Sequence, residues 1–208
     1  MQDAGFPVGG ETSVAVDLID TLMKAVDPEV DLLEVHAESW WRLESVRLPD
    51  APVPEAFAVR RLRAALREAF EARIDNRVAD DQAIEDLNYF ADSVPSSPRL
   101  VNTDDGLQLV TRWHPEHGGN ANLAAIARDG IALLADPDRS NRLKRCANPE
   151  CSMIFVAENT RRLWCTPNIC GNRTRVARHY QRNHPETASV RKHAAIQKRS
   201  DTDMEASS

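Results

Sequence analysis

All four cysteines of the chain, Cys146, Cys151, Cys165 and Cys170, fall within 25 residues in the pattern C-x4-C-x13-C-x4-C. Two short-spaced pairs with a longer loop between them suit tetrahedral Zn2+. Each pair forms a tight knuckle, and thiolates at about 2.3 Å fill all four positions, leaving none for water. Such a closed site is structural, so one Zn2+ is expected and the metal gives no argument for an enzyme. Asn148-Pro149 and Pro167-Asn168 lie inside the knuckles and supply turn chemistry. Buried apolar cysteines or two disulfides are the alternatives. Clustering of the whole cysteine complement disfavours the first, and an expected reducing compartment the second.

The residues that follow are basic. At about 100° per residue, a helix after Cys170 gathers Arg175, Arg178, His179 and Arg182 within an arc of about 100°. Val176 and Tyr180 fall on a neighbouring face and are predicted to pack on the zinc core. With Arg161, Arg162, Asn172 and Arg173, the basic residues make a candidate nucleic-acid surface, because guanidinium groups offer forked donors to phosphate and stay charged. Charge is unevenly spread. Residues 1–138 hold 12 Lys and Arg against 26 Asp and Glu, whereas residues 139–199 hold 14 against 3. A basic end on an acidic body points to a polyanion partner. DNA is the expected partner. RNA, with Trp164 as a stacking surface, is an alternative, as is a protein-interaction module docking an acidic partner or another copy. A solvated face, or pairing with the acidic body, is the bland reading of the same charges.

Other candidates carry less. His114-Pro115-Glu116-His117 lacks a rigid helix and reads as a surface loop, not a metal pair. His36, Trp40, Trp41 and Arg42 could line a pocket with Asp17, although two tryptophans on an amphipathic helix more often form core. No phosphate loop, dinucleotide fingerprint or nucleophile elbow occurs, and no spaced pair of carboxylates looks catalytic, so an enzyme is not expected.

The elements that must position these groups are mainly α-helical. Aromatic residues make up only 5%, so the core must be chiefly Ala, Leu, Val and Ile, which favours helices over a sandwich. Helices are predicted from Thr12 or Ser13 to about Val26, over 31–46, over 55–74, from Asp80-Asp81 onward, and over 121–135. In the third, Val59, Leu62, Leu66 and Phe70 form the inward stripe, with Arg60, Arg61, Arg63 and Arg67 outside. The fourth carries Ile84, Leu87 and Phe90 inward. Alternation over 99–103 and 107–113 around Asp104-Asp105-Gly106 predicts a β-hairpin. The expected organisation is an acidic helical domain over 1–138, a zinc module over 139–184 ending in a basic helix, and a polar disordered tail over 185–208. The N-terminal residues have no signal-peptide pattern and no stretch is apolar enough to span a membrane, so a cytoplasmic protein is expected.

The segment Cys165-Thr166-Pro167-Asn168-Ile169-Cys170-Gly171-Asn172-Arg173 ends in a CGNR signature. With Cys146-x4-Cys151, Phe155-Val156 and Arg161-Arg162-Leu163-Trp164, it resembles the CGNR zinc-finger family. That family joins the finger to a helical domain termed ABATE, and its members are regarded as stress-induced transcription regulators. Asp17-Leu18-Ile19-Asp20-Thr21 resembles the family's D-F-V-N-T element, and Leu62-Arg63-x-Ala65-Leu66-Arg67 a later one. The resemblance covers most of residues 12–183 and is specific over 146–173. Asp20 stands where the family usually has Asn, and Thr166-Pro167 where it has Ser-Met. What it implies is DNA binding by the finger. The helical domain is expected to sense a ligand or partner, with Asp17, Thr21 and Trp40 as candidate contacts to a small-molecule effector. A homodimer would offset the weak binding of a single short finger.

Overall fold

The computed structural model describes residues 6, 11, 13–24 and 29–183. The expected tail over 185–208 lies outside them. The chain divides into two compact units, one through Cys165 and one from Thr166. The described residues of the second comprise a π-turn, Pro167–Gly171, and one helix, α7, Asn172–Asn183.

The first unit is mainly helical. Its helices are α1 (Val14–Ile19), α2 (Leu32–Glu44), α3 (Ala56–Asp75), α4 (Asp81–Asp92), α5 (Ala121–Ala135) and the short α6 (Pro137–Ser140). Side-chain caps define several of them. Asp31, Asp80, Asn120 and Asp136 each accept from backbone N–H groups of the first turn, relieving donors that have no partner within the helix. The predicted inward stripe of α3 is buried, with Leu62, Leu66 and Phe70 wholly so. Helices α3 and α5 approach closely at Gly130. A Cβ there would collide with Leu66 Cδ2, so only glycine fits without displacing a buried leucine.

Among the described residues three antiparallel two-stranded ribbons accompany the helices: β1 (Leu22–Met23) with β2 (Val30–Asp31), β3 (Ser96–Thr103) with β4 (Gly106–Trp113), and β5 (Leu143–Arg145) with β6 (Ile154–Val156). The β3–β4 hairpin pairs Leu100 with Leu109, and it leaves Leu100, Leu107 and Leu109 exposed.

Three local expectations are corrected. The first helix stops at Ile19, not near Val26, because Thr21 Oγ1 donates to the Leu18 carbonyl and β1 begins at Leu22; residues 25 and 26 lie outside the description. Arg63 and Arg67, expected on the outer face of α3, are buried, at 3% and 4% exposure. They are tolerated there because Arg63 grips Asp31 while Arg67 donates to main-chain carbonyls. Ile84 is exposed, and the buried face of α4 runs through Ala83, Leu87, Phe90 and Ala91.

Candidate metal centre and basic helix

Strand β5 delivers Cys146 from the helical core. Leu143 of β5, which pairs with Val156, and Ile154 of β6, which pairs with Arg145, belong to the same apolar cluster as Leu62, Leu66 and Phe70. The Cys146 N–H donates to the Met153 carbonyl at 2.9 Å, and the Cys151 N–H to the Asn148 carbonyl at 3.0 Å. Those bonds fold residues 146–153 into the first knuckle. Asn148 Oδ1 caps its turn by accepting from the Glu150 N–H.

The second knuckle turns at Pro167–Gly171, where the Cys170 N–H donates to the Thr166 carbonyl at 3.0 Å. The ligand atoms of Cys146, Cys151, Cys165 and Cys170 all lie within 4.8 Å of one another. The Cys151 and Cys165 sulfurs are 3.8 Å apart. A tetrahedron with metal–sulfur bonds of about 2.3 Å has edges of about 3.8 Å. All four are free thiols, and that separation is far beyond a disulfide bond of about 2.05 Å. Three of the cysteines are buried and Cys151 is half-buried, as a closed structural site requires. These residues fit one Zn2+ held by four thiolates, which would fasten the two knuckles together.

The basic residues have different fates. Arg161 is exposed. Arg162 turns inward instead. Its guanidinium donates to the carbonyl oxygens of Cys165, Trp164 and Val156, pairs with Glu11 at 2.9 Å and stacks over Phe155 at 4.4 Å. Arg162 is thus a strut under the ligand Cys165, and its donors are spent before any phosphate arrives. In α7, Asn172 Nδ2 donates to the Asn168 carbonyl and its Oδ1 accepts from Arg175, so Asn172 stabilises the start of the helix.

Arg173, Arg175, His179 and Arg182 are exposed. Helical spacing puts Arg175, Arg178, His179 and Arg182 on one face and Arg173 on the other. Val176 and Tyr180, predicted to pack on the zinc core, are 68% and 54% exposed. The second unit offers only a turn and this helix among its described residues, too little to cover them. Trp164 is half-buried, and its buried indole N–H has no hydrogen-bond partner among the described residues.

Two family models match the chain. The ABATE model, described as "Putative stress-induced transcription regulator", covers residues 12–137, and the CGNR zinc finger model covers residues 142–183. This chain belongs to the ABATE family. No curated protein matches it.

Within the ABATE part, the candidate effector contacts are interior groups. Asp17 is buried against Arg47 and accepts from the Glu11 N–H. Thr21 Oγ1 accepts from Arg63 Nη1 at 2.9 Å, and Trp40, 1% exposed, packs edge-on against Trp41 at 4.7 Å. None of the three lines the cavity of about 690 Å3 bounded by Arg47, Leu48, Val110, Trp113, Ala121 and Ala125. His114 bridges Ser97 Oγ and Glu116 Oε1, both at 3.0 Å, which accounts for this loop histidine without a metal.

Sequence reasoning missed the polar groups joining the ABATE helices to the CGNR finger. Burial drives the Asp20 carboxyl well above its ordinary range, opposed by the Ile154 N–H and by Arg67. Burial also raises Glu11, against the pull of Arg162. No signal local to α3 marks Arg67 as inward, since its partners come from Ile19, Asp20 and Ser152.

Proposed function

We propose that this ABATE protein is a cytoplasmic transcription regulator whose CGNR finger binds duplex DNA through the arginine face of α7. The observation that carries the reading is the exposure of Arg175 and Arg182 one above the other on a helix that starts two residues after the last zinc ligand. Phosphate contacts would dominate affinity, with few side chains left to read bases. Zinc would hold the knuckle from which the helix springs and take no part in chemistry. Binding, not catalysis, is the proposed role.

The helical body is proposed as the sensor. Its cavity of about 690 Å3 has the volume of a small-molecule site, and Trp113 would supply an aromatic contact. Leu100, Leu107 and Leu109 give a second copy an apolar face to meet, which would place two fingers on two half-sites. Fluorescence anisotropy of the zinc-loaded chain against duplex DNA, single-stranded DNA and RNA tests the reading. Tighter duplex binding supports it, and no duplex binding at low salt refutes it. The partly buried indole of Trp164 favours duplex over stacking on single strands.

A further inference from the structure

We infer that Asp20 and Arg67 are positioning residues for the first zinc knuckle, coupling zinc affinity to the folding of the helical body. Ser152 directly follows the ligand Cys151. Its carbonyl accepts from Arg67 Nη1 at 3.1 Å and its hydroxyl from the Lys24 N–H at 2.9 Å. Two residues on, the Ile154 N–H donates to Asp20 Oδ1 at 3.0 Å. Between these anchors, the Met153 carbonyl takes the Cys146 N–H. Residues 152–154 are therefore gripped by groups from residues 20–67, and this same stretch closes the turn between the first two thiolates.

Asp20 and Arg67 do this from inside the protein, at 5% and 4% exposure, 3.9 Å from each other. Arg67 also donates to the Ile19 carbonyl at 2.9 Å, tying the end of α1 to the same point. A buried carboxylate and guanidinium are costly unless both are hydrogen-bonded, and here their partners are the knuckle's own main chain. Small zinc modules that lack a core fold only when metal binds. This knuckle borrows its core, through Leu143 and Ile154, from the helices. The helical body thus pre-shapes half the site, and metal binding must in turn stabilise the helices, since coupling between sites is reciprocal.

The test is zinc affinity of the full-length chain, by competition with a chromophoric chelator. Asp20→Ala removes the acceptor for Ile154 and the buried carboxylate beside Arg67, and Arg67→Met removes the grip on Ser152. Each is expected to weaken zinc binding about 10- to 100-fold, as loss of an outer-shell partner does. Asp20→Asn keeps the Oδ1 acceptor and should stay close to the unaltered protein. Unchanged affinity in Asp20→Ala and Arg67→Met would overturn the inference. Should those variants not fold, hydrogen–deuterium exchange of residues 56–75 in the unaltered chain decides it. Zinc removal is expected to speed exchange along α3, and unchanged exchange would overturn the coupling. Neither readout involves DNA, so failure here leaves the DNA reading standing, and the reverse.

Discussion

Replacing Arg175 and Arg182 together with alanine should change how DNA affinity depends on salt. The two residues are seven positions apart in α7, which places them about 10.5 Å apart along the axis and on nearly the same face. Both are exposed, and Arg175 gives up one donor to Asn172, leaving others for phosphate. If each neutralises one phosphate, the double variant releases two fewer counterions. The slope of log K against log salt should then become shallower by about 1.8. Between 50 and 200 mM salt, the unaltered protein should lose about twelve-fold more affinity than the variant. Anisotropy titrations on one duplex at four or more salt concentrations measure this directly. Both side chains are exposed, so folding should not change, and a zinc stoichiometry of one would confirm it. An unchanged slope would refute the assignment of this helix face to the phosphate backbone.

Arg162→Ala is expected to act differently. It should lower stability and weaken zinc binding while leaving the salt slope alone, because its donors serve Cys165, Trp164 and Glu11; thermal melts beside the same titrations separate the two. Arg63→Met strands Asp31 in a nearly buried pair and should cost about 3–5 kcal/mol in urea unfolding. The Asp31 carboxyl is pushed up by burial, yet the Arg63 hydrogen bonds and charge outweigh that and hold it below its ordinary range. Its contribution is therefore complete above the unfolded value of about 3.9 and is lost as pH falls through the folded value. Acid titration should find Asp31→Asn less acid-sensitive than the unaltered protein, and equal sensitivity would contradict the pairing. Cys146→Ser should reduce bound zinc, measured by mass spectrometry under native conditions, because three thiolates cannot close a four-coordinate structural site.

The elements that periodicity describes well are the ones found. The span predicted for α5 matches Ala121–Ala135, and α3 lies within one residue at each end, since stripes of apolar residues and Asp or Asn caps act locally. The β-hairpin was legible over 99–103 and 107–113 from alternation around a turn, and the structure extends its first strand back to Ser96. The zinc ligands were legible from spacing alone, because a tetrahedral ion constrains how four cysteines can be distributed along a chain. The failures share one cause. Arg63, Arg67 and Arg162 read as surface charges because arginine is costly to bury, and nothing in local sequence tells of Asp31, the Ile19 carbonyl or Glu11 waiting for them. Val176 and Tyr180 failed in the opposite sense, since an apolar residue on a helix predicts packing only where another element exists to pack on.

By itself, then, the sequence determined the class of helices, the four-thiolate site and the sign of the charge that follows it, since composition, period and ligand spacing are properties of the chain. Tertiary structure alone decided which arginines are exposed. Arg175 and Arg182 face solvent, while Arg63, Arg67 and Arg162 satisfy carboxylates and carbonyls brought from 32, 48 and 151 residues away in sequence. An ionised side chain goes where its desolvation is repaid, and the partners that repay it are assembled only when the chain has folded.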